Sequence, residues 1–121
     1  MDCGPGSRDR INSFALVSYV PGRLGEYLDR LRRELVAGCT AHSHVTVLPP
    51  RPLSIGAEEA ASVVRNNLEH FPTFSVEITG VRVFSKTDVI YIDIGSGRAD
   101  VIQIHDSLNR NSLAFEEPYK F

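Results

Sequence analysis

One short stretch, AHSHVTVLPPR at residues 41–51, constrains this chain more than any other. In an extended strand successive side chains point to opposite faces, so His42, His44 and Thr46 are predicted to share one face. The valines between and after them form the opposite face, which belongs in a core, and Leu48 falls on the polar face at the strand's end. The two prolines that follow cannot donate a ladder hydrogen bond, and they are predicted to end the strand.

The polar face of this strand carries groups that suit phosphoester chemistry. His44 and Thr46 are separated by one residue, which places their Cα atoms about 7 Å apart. Imidazole titrates near neutrality and can move a proton, and a threonine hydroxyl can donate a hydrogen bond to a phosphate oxygen. The alternative interpretation is a chance match, because a His-x-Thr triplet is short.

The residues from His44 to Leu53, HVTVLPPRPL, resemble the first signature of the 2H phosphoesterase superfamily, which includes 2′-5′ RNA ligases and cyclic phosphodiesterases. That family is named for two His-x-Thr/Ser motifs, each on a strand of one of two similar lobes. The order of elements predicted for this chain is similar to that of the family. The last residues, FEEPYKF, resemble the lead-in to the second motif, but no second His-x-Thr is present.

The resemblance implies a metal-independent reaction on RNA-type phosphodiesters, with no cofactor and with a nucleotide or RNA end as the substrate. Opening of a 2′,3′-cyclic phosphate and action on 2′-5′ links are typical. In such chemistry one histidine takes a proton from the attacking oxygen, a second protonates the leaving oxygen, and the hydroxyls hold the phosphate. Carried over to this sequence, His44 is one of the acid/base pair and Thr46 is its phosphate-holding partner.

Two further residues are candidates for substrate binding. Arg51 follows the motif directly, and its guanidinium can hold a phosphate through two hydrogen bonds. An anchoring role for Arg51 in a loop is equally open. His42 lies next to the motif, where it contacts substrate, tunes His44 or is simply exposed. A metal site at His42 and His44 is disfavoured, because no Asp, Glu or Cys accompanies them nearby in the sequence.

The missing second motif leaves three explanations open. The chain is a shortened piece of a longer two-lobed enzyme. Alternatively, two copies form a homodimer about a two-fold axis, the commonest closed assembly, so that two His44/Thr46 pairs face one cleft. The third explanation is a non-catalytic phosphoester- or protein-binding module that keeps the fold and lacks the chemistry. Whether the chain is an enzyme is therefore open at this point.

Composition places the chain among ordinary soluble domains. At 121 residues one domain is the natural count. A formal net charge of −2 argues against a broad basic surface for nucleic acid, although a pocket for one phosphate is compatible with it. Two cysteines are too few for a disulfide framework, so reduced thiols in a cytoplasmic protein are expected. No apolar run approaches the roughly 20 residues that cross a bilayer, so no membrane is expected.

Hydrophobic periodicity predicts an α+β fold. The resemblance implies a 2H phosphoesterase-like lobe, in which an antiparallel or mixed sheet is flanked by helices. Residues 1–12 are predicted to be a disordered tail, and residues 13–121 a single 2H phosphoesterase-like domain that lacks the segment with the second motif. His105 is predicted to be a boundary or surface residue on the last helix. The aromatic-rich residues 113–121 are predicted to form a contact surface.

Overall fold

The computed structural model describes residues 13–121, which form four strands, three α-helices and one 3₁₀ turn. The predicted tail at residues 1–12 lies outside the described part of the chain. The elements are β1 (Phe14–Tyr19), α1 (Gly22–Leu35), β2 (His44–Arg51), α2 (Ala57–Leu68), β3 (Ile78–Val83), β4 (Ile90–Ile94), α3 (Arg98–Leu108) and a 3₁₀ turn (Asn111–Leu113).

Two antiparallel, two-stranded sheets organise the described residues. Strand β1 pairs with β2, and β3 pairs with β4 as a hairpin. The register of the β3–β4 pair shifts between Ile78 and Gly80, which indicates a bulge beside this glycine. Together with the three helices of residues 13–121, these sheets confirm the α+β prediction.

The prediction that the two prolines end strand β2 is wrong. The strand continues through both of them to Arg51. Proline is tolerated there because a strand of a two-stranded sheet has one edge that needs no donor. The register also slips: Leu16 pairs with Leu48, whereas the next residue of β1 pairs with Thr46, so Val47 is an extra residue on β2. This irregularity turns Leu48 away from the Thr46 face, and the prediction that Leu48 lies on the polar face is wrong.

The core lies between the end of β2 and helices α2 and α3. Its four buried members pack together, and partly buried side chains from β1, α2 and α3 surround them. The buried members are Leu48, Ala60, Leu108 and Leu113. Because one of them comes from the 3₁₀ turn, the chain that follows α3 is held against the core.

Shortening Leu48 to alanine should destabilise the fold, because Leu48 is only 4% exposed and the cavity left behind would not fill. We expect a loss of about 2–5 kcal/mol in the free energy of unfolding, measured by urea denaturation. Val81→Ala in the hairpin is the matched control, because Val81 is 70% exposed and truncation there should change stability by less than about 0.5 kcal/mol. Equal losses in the two variants would contradict this core.

The residues after α3 pack on the chain itself. Leu113 is buried, the Phe115 ring lies beneath the Arg51 guanidinium, and the Phe121 ring stacks on His105. Among the aromatic side chains of this segment, Tyr119 alone is largely exposed. The prediction of an unpacked contact surface at residues 113–121 is therefore wrong for most of the segment.

Cys39 is buried in the loop between α1 and β2 and is disulfide-bonded. The expectation of a reduced thiol is therefore wrong at this position, and Cys3 lies outside the described residues. Because disulfides persist in oxidising compartments, cysteine usage does not support a cytoplasmic location, which stays a prediction. Among residues 13–121 no helix combines the length and apolar character needed to cross a membrane.

Candidate functional site

Strands β1 and β2 present the His-x-Thr motif on one face. In the antiparallel register Tyr19 lies opposite His44, and Val17 lies opposite Thr46. Residues directly opposite each other in a ladder share a face, so the imidazole, the hydroxyl and the phenol ring occur on the same side of the sheet. His44 and Tyr19 are exposed and Thr46 is half-buried, which leaves this face open to a ligand.

The His44 ring has a defined orientation. Its Nδ1 lies 2.8 Å from the carbonyl oxygen of His42. Because a carbonyl oxygen only accepts hydrogen bonds, Nδ1 carries the proton, and in the neutral ring Nε2 is left unprotonated. Within the part of the chain that the structure describes, nothing hydrogen-bonds to Nε2 or to the Thr46 hydroxyl. Both groups are therefore available to a substrate.

His42 precedes β2 rather than belonging to it, since the strand begins at His44. The two imidazoles nevertheless flank one aromatic ring: Tyr19 lies edge-on to His42 at 6.0 Å and to His44 at 6.4 Å between ring centroids. The His42 side chain is 72% exposed, and its Nδ1 lies 2.9 Å from Asp29 Oδ2 on α1. Its position next to the motif is compatible with substrate contact, which stays a prediction.

Helix α1 holds the segment before β2 through Asp29 and Gly25. The Ser43 N–H donates to Asp29 Oδ1 at 2.6 Å, and the Ser43 hydroxyl lies 3.4 Å from the Gly25 carbonyl oxygen. A β-carbon at position 25 would clash with the Val20 carbonyl, so glycine permits this close approach. The hydrogen bond with the His42 side chain, followed by the one from the Ser43 N–H, holds the pKa of Asp29 well below its usual range.

Arg51 is buried, with 2% of its surface exposed. Its guanidinium donates to the Pro49 carbonyl, Asn109 Oδ1, the Leu113 carbonyl and Glu117 Oε2. These contacts tie the end of β2 to the residues that follow α3, which fits the anchoring alternative that the sequence left open. Phosphate contact by Arg51 stays a prediction.

Sequence reasoning missed a buried charged cluster around Glu117. Glu117 accepts hydrogen bonds from Arg51 and from His105 Nε2, which lies 2.8 Å and 2.9 Å from its two oxygens. His105 is 5% exposed, so its prediction as a boundary or surface residue is wrong. Burial alone would raise the pKa of Glu117, but the hydrogen bonds from His105 and Arg51 outweigh burial and lower it.

The triplet His105-Asp106-Ser107 matches the looser pattern His-x-Ser, yet it does not form a second site. It lies within helix α3 rather than on a strand. The imidazole nitrogens of His105 face Asp106 and Glu117, and the Ser107 hydroxyl donates to the Ile104 carbonyl at 3.0 Å. The His105 imidazole and the Ser107 hydroxyl thus form hydrogen bonds with different protein groups and do not face a common ligand site.

A cavity of about 180 Å³ lies between β1, the end of β2 and α2. Leu16, Leu48 and Val64 contribute to its mostly apolar lining, and Arg51 is its charged member. No group of three or more metal-ligating side chains occurs among residues 13–121. Because the cavity is lined mainly by apolar side chains, whereas the His44–Thr46 face presents an imidazole and a hydroxyl, that face is the stronger candidate for phosphoester chemistry.

The comparisons with known proteins point to one family. The model of the 2'-5' RNA ligase superfamily matches residues 20–120, a segment that begins directly after β1 and includes the His44–Thr46 motif. No curated protein matches the chain. No solved structure matches it either.

Proposed function

The chain belongs to the 2′-5′ RNA ligase superfamily, and from this premise we propose that its His44–Thr46 face binds and cleaves RNA-type phosphodiesters. A 2′,3′-cyclic phosphate is the proposed substrate, and no metal takes part. The observation that carries the proposal is the orientation of His44. Its Nδ1 proton is held by the His42 carbonyl, so Nε2 is free as a base on the face that also presents the Thr46 hydroxyl.

The two side chains have complementary roles in this reaction. His44 Nε2 takes a proton from a water molecule as its oxygen forms a bond to phosphorus. The bond from phosphorus to one ribose oxygen breaks, and that oxygen receives a proton from a general acid. The Thr46 hydroxyl donates to a non-bridging oxygen, where negative charge develops in the transition state. The product is a ribose monophosphate with one hydroxyl restored.

His44 cannot start the step as both base and acid, so a second group must protonate the leaving oxygen. The resemblance to the family implies that this group is a second imidazole. Residues 1–121 contain one His-x-Thr motif. We propose that a second copy of the chain supplies His44 as the acid, across a two-fold axis that brings the two exposed faces together. Support comes from the exposure of His44 and from the frequency of closed two-fold dimers.

Turnover of a nucleoside 2′,3′-cyclic phosphate by the purified chain tests the proposal. The ring-opened monophosphate is measured over a range of protein concentrations, with and without a chelator. Activity that is unaffected by the chelator and rises more steeply than linearly with protein concentration is expected. A monomeric mass in solution at the assay concentrations would contradict assembly of the site from two copies, and loss with the chelator would contradict metal-independent chemistry.

The alternative is a non-catalytic module that binds a phosphoester or a protein with the same fold. It is favoured by one observation, the presence of a single His-x-Thr motif in residues 1–121. Such a module would bind a nucleotide 2′- or 3′-phosphate without turnover at any protein concentration. The turnover assay and a titration with the monophosphate therefore distinguish the two functions.

Replacing Thr46 with valine should lower turnover, because valine keeps the shape of the side chain and removes the hydroxyl. Loss of one donor to a developing oxyanion lowers kcat by about 10²–10³-fold. The matched control is Thr73→Val at an exposed position outside the strands and helices. Its kcat should equal that of the wild type. A Thr46→Val variant with unchanged kcat would remove threonine from the proposed site.

A further inference from the structure

One peptide group connects Asp29 on α1 to the imidazole of His44. In the peptide group between His42 and Ser43, the N–H donates a hydrogen bond to Asp29 Oδ1 at 2.6 Å. The carbonyl oxygen of the same peptide accepts a hydrogen bond from His44 Nδ1 at 2.8 Å. A carboxylate, a peptide and an imidazole thus form a continuous chain of hydrogen bonds. This chain ends on the ring whose far nitrogen is the proposed base.

We propose that Asp29 is a positioning residue for His44, acting through the His42–Ser43 peptide and not through contact with substrate. The effect of Asp29 on catalysis rests on the proposed function of His44 as a base. Its structural part, control of the His44 tautomer and ring orientation, stands on the hydrogen bonds alone. Asp29 then has the role that a carboxylate takes beside a catalytic histidine, with a peptide group inserted between them.

Hydrogen-bond cooperativity explains why a remote carboxylate affects the ring. A peptide whose N–H donates to a negative charge is polarised, and its carbonyl becomes a stronger acceptor. The stronger acceptor holds the proton on His44 Nδ1 and leaves Nε2 unprotonated. Asp29 is suited to this role because it is ionised at neutral pH and only 17% of its side chain is exposed.

The peptide itself is held in place, which makes the geometry a property of the fold. The Ser43 carbonyl accepts from the Val20 N–H at 3.0 Å, and the Ser43 hydroxyl contacts the Gly25 carbonyl. Ser43 is buried although it precedes an exposed histidine. The His42–Ser43 unit is thus fixed between β1 and α1, so a change at Asp29 acts on one acceptor rather than on a loose loop.

The test reads the His44 ring directly, by ¹⁵N NMR of the histidine-labelled chain without substrate. Above the titration range of the imidazole, His44 of the wild type should be the Nδ1–H form. In Asp29→Ala the Nε2–H form should become the major one. Catalysis should fall about 10–100-fold in kcat with KM unchanged, because Asp29 does not touch the substrate. An inactive wild type would leave the NMR result valid, so the two proposals fail separately.

Three variants complete the design. Asp29→Asn keeps an oxygen for the Ser43 N–H and removes the charge, so its tautomer ratio should lie between those of the wild type and Asp29→Ala. His42→Ala leaves the peptide intact and should keep the Nδ1–H form. Glu26→Gln, an exposed carboxylate on the same helix, is the matched control and should change nothing.

Two results would overturn the inference. One is a His44 tautomer ratio that is the same in the wild type, Asp29→Asn and Asp29→Ala. Should Asp29→Ala fail to fold, an unchanged ratio in Asp29→Asn alone has the same force. The other is loss of the Nδ1–H form in His42→Ala. This result would show that the His42 side chain, and not the His42–Ser43 peptide, sets the tautomer of His44.

Discussion

Replacing His44 with alanine should lower the turnover of a 2′,3′-cyclic phosphate by about 10²–10⁴-fold, the usual contribution of one general acid or base. In a two-copy site the substitution removes both the base and the acid, so the loss should lie at or beyond the upper end of this range. His44 is exposed, and within residues 13–121 the one hydrogen bond of its imidazole goes to the adjacent His42 carbonyl. Stability should therefore change little, and the loss should occur in kcat.

The matched control for this substitution is His70→Ala. The His70 side chain is 94% exposed, two residues beyond the last residue of α2, and its Nε2 lies 4.0 Å from Glu69 Oε2. Its removal should leave turnover at the wild-type level. Equal activity of His44→Ala and His70→Ala, with both chains folded, would remove His44 from the proposed site.

Replacing Arg51 or Glu117 with alanine should destabilise the fold by about 3–5 kcal/mol, because each substitution leaves a buried charge without its partner. The two side chains are 2% and 8% exposed. They link β2 to the residues after α3, so the loss should appear in the free energy of unfolding, measured with urea. Such a loss is a large part of the stability of a domain of this size.

A surface ion pair supplies the control for this experiment. Arg82 is 65% exposed and pairs with Asp93 on the hairpin. Its replacement by alanine should cost no more than about 1 kcal/mol. A loss at Arg51 no larger than that at Arg82 would contradict the buried cluster.

The pH dependence of stability follows from the lowered pKa of Glu117. The ordinary value is 4.5, and a group whose pKa is depressed on folding stabilises the folded state above its unfolded pKa. The contribution is thus fully present at neutral pH and is lost as the pH falls below 4.5 through the folded pKa. In Glu117→Gln this part of the acid dependence should disappear.

The sequence predicted the elements well because each depends on local chemistry. Hydrophobic periodicity is set by neighbouring residues, so the α+β class could be read from it, and the structure has three helices and two antiparallel sheets among residues 13–121. The His44–Thr46 pair was predicted to share a face from alternation alone, and the regular register from His44 to Thr46 has this arrangement. The same alternation gave a wrong face for Leu48, because one extra residue in β2 places Leu48 on the face opposite to Thr46.

The buried cluster could not be predicted in the same way, because its members are far apart in the chain. Arg51 and Glu117 are separated by 66 residues. Charged side chains are rarely buried unless they are paired, and no local pattern indicates the partner. The link from Asp29 to the His42–Ser43 peptide is equally non-local, since it depends on how closely α1 approaches the segment before β2.

Binding of a nucleoside 3′-monophosphate or 2′,3′-cyclic phosphate, followed by NMR of the ¹⁵N-labelled chain, tests most directly whether the His44–Thr46 face is the phosphate site. The prediction is that the largest shifts occur at the His44 ring and at the Thr46 amide, and that Thr46→Val weakens binding. This readout needs neither turnover nor a second imidazole. Shifts confined to the apolar cavity beside α2, or none at millimolar ligand, would contradict the account.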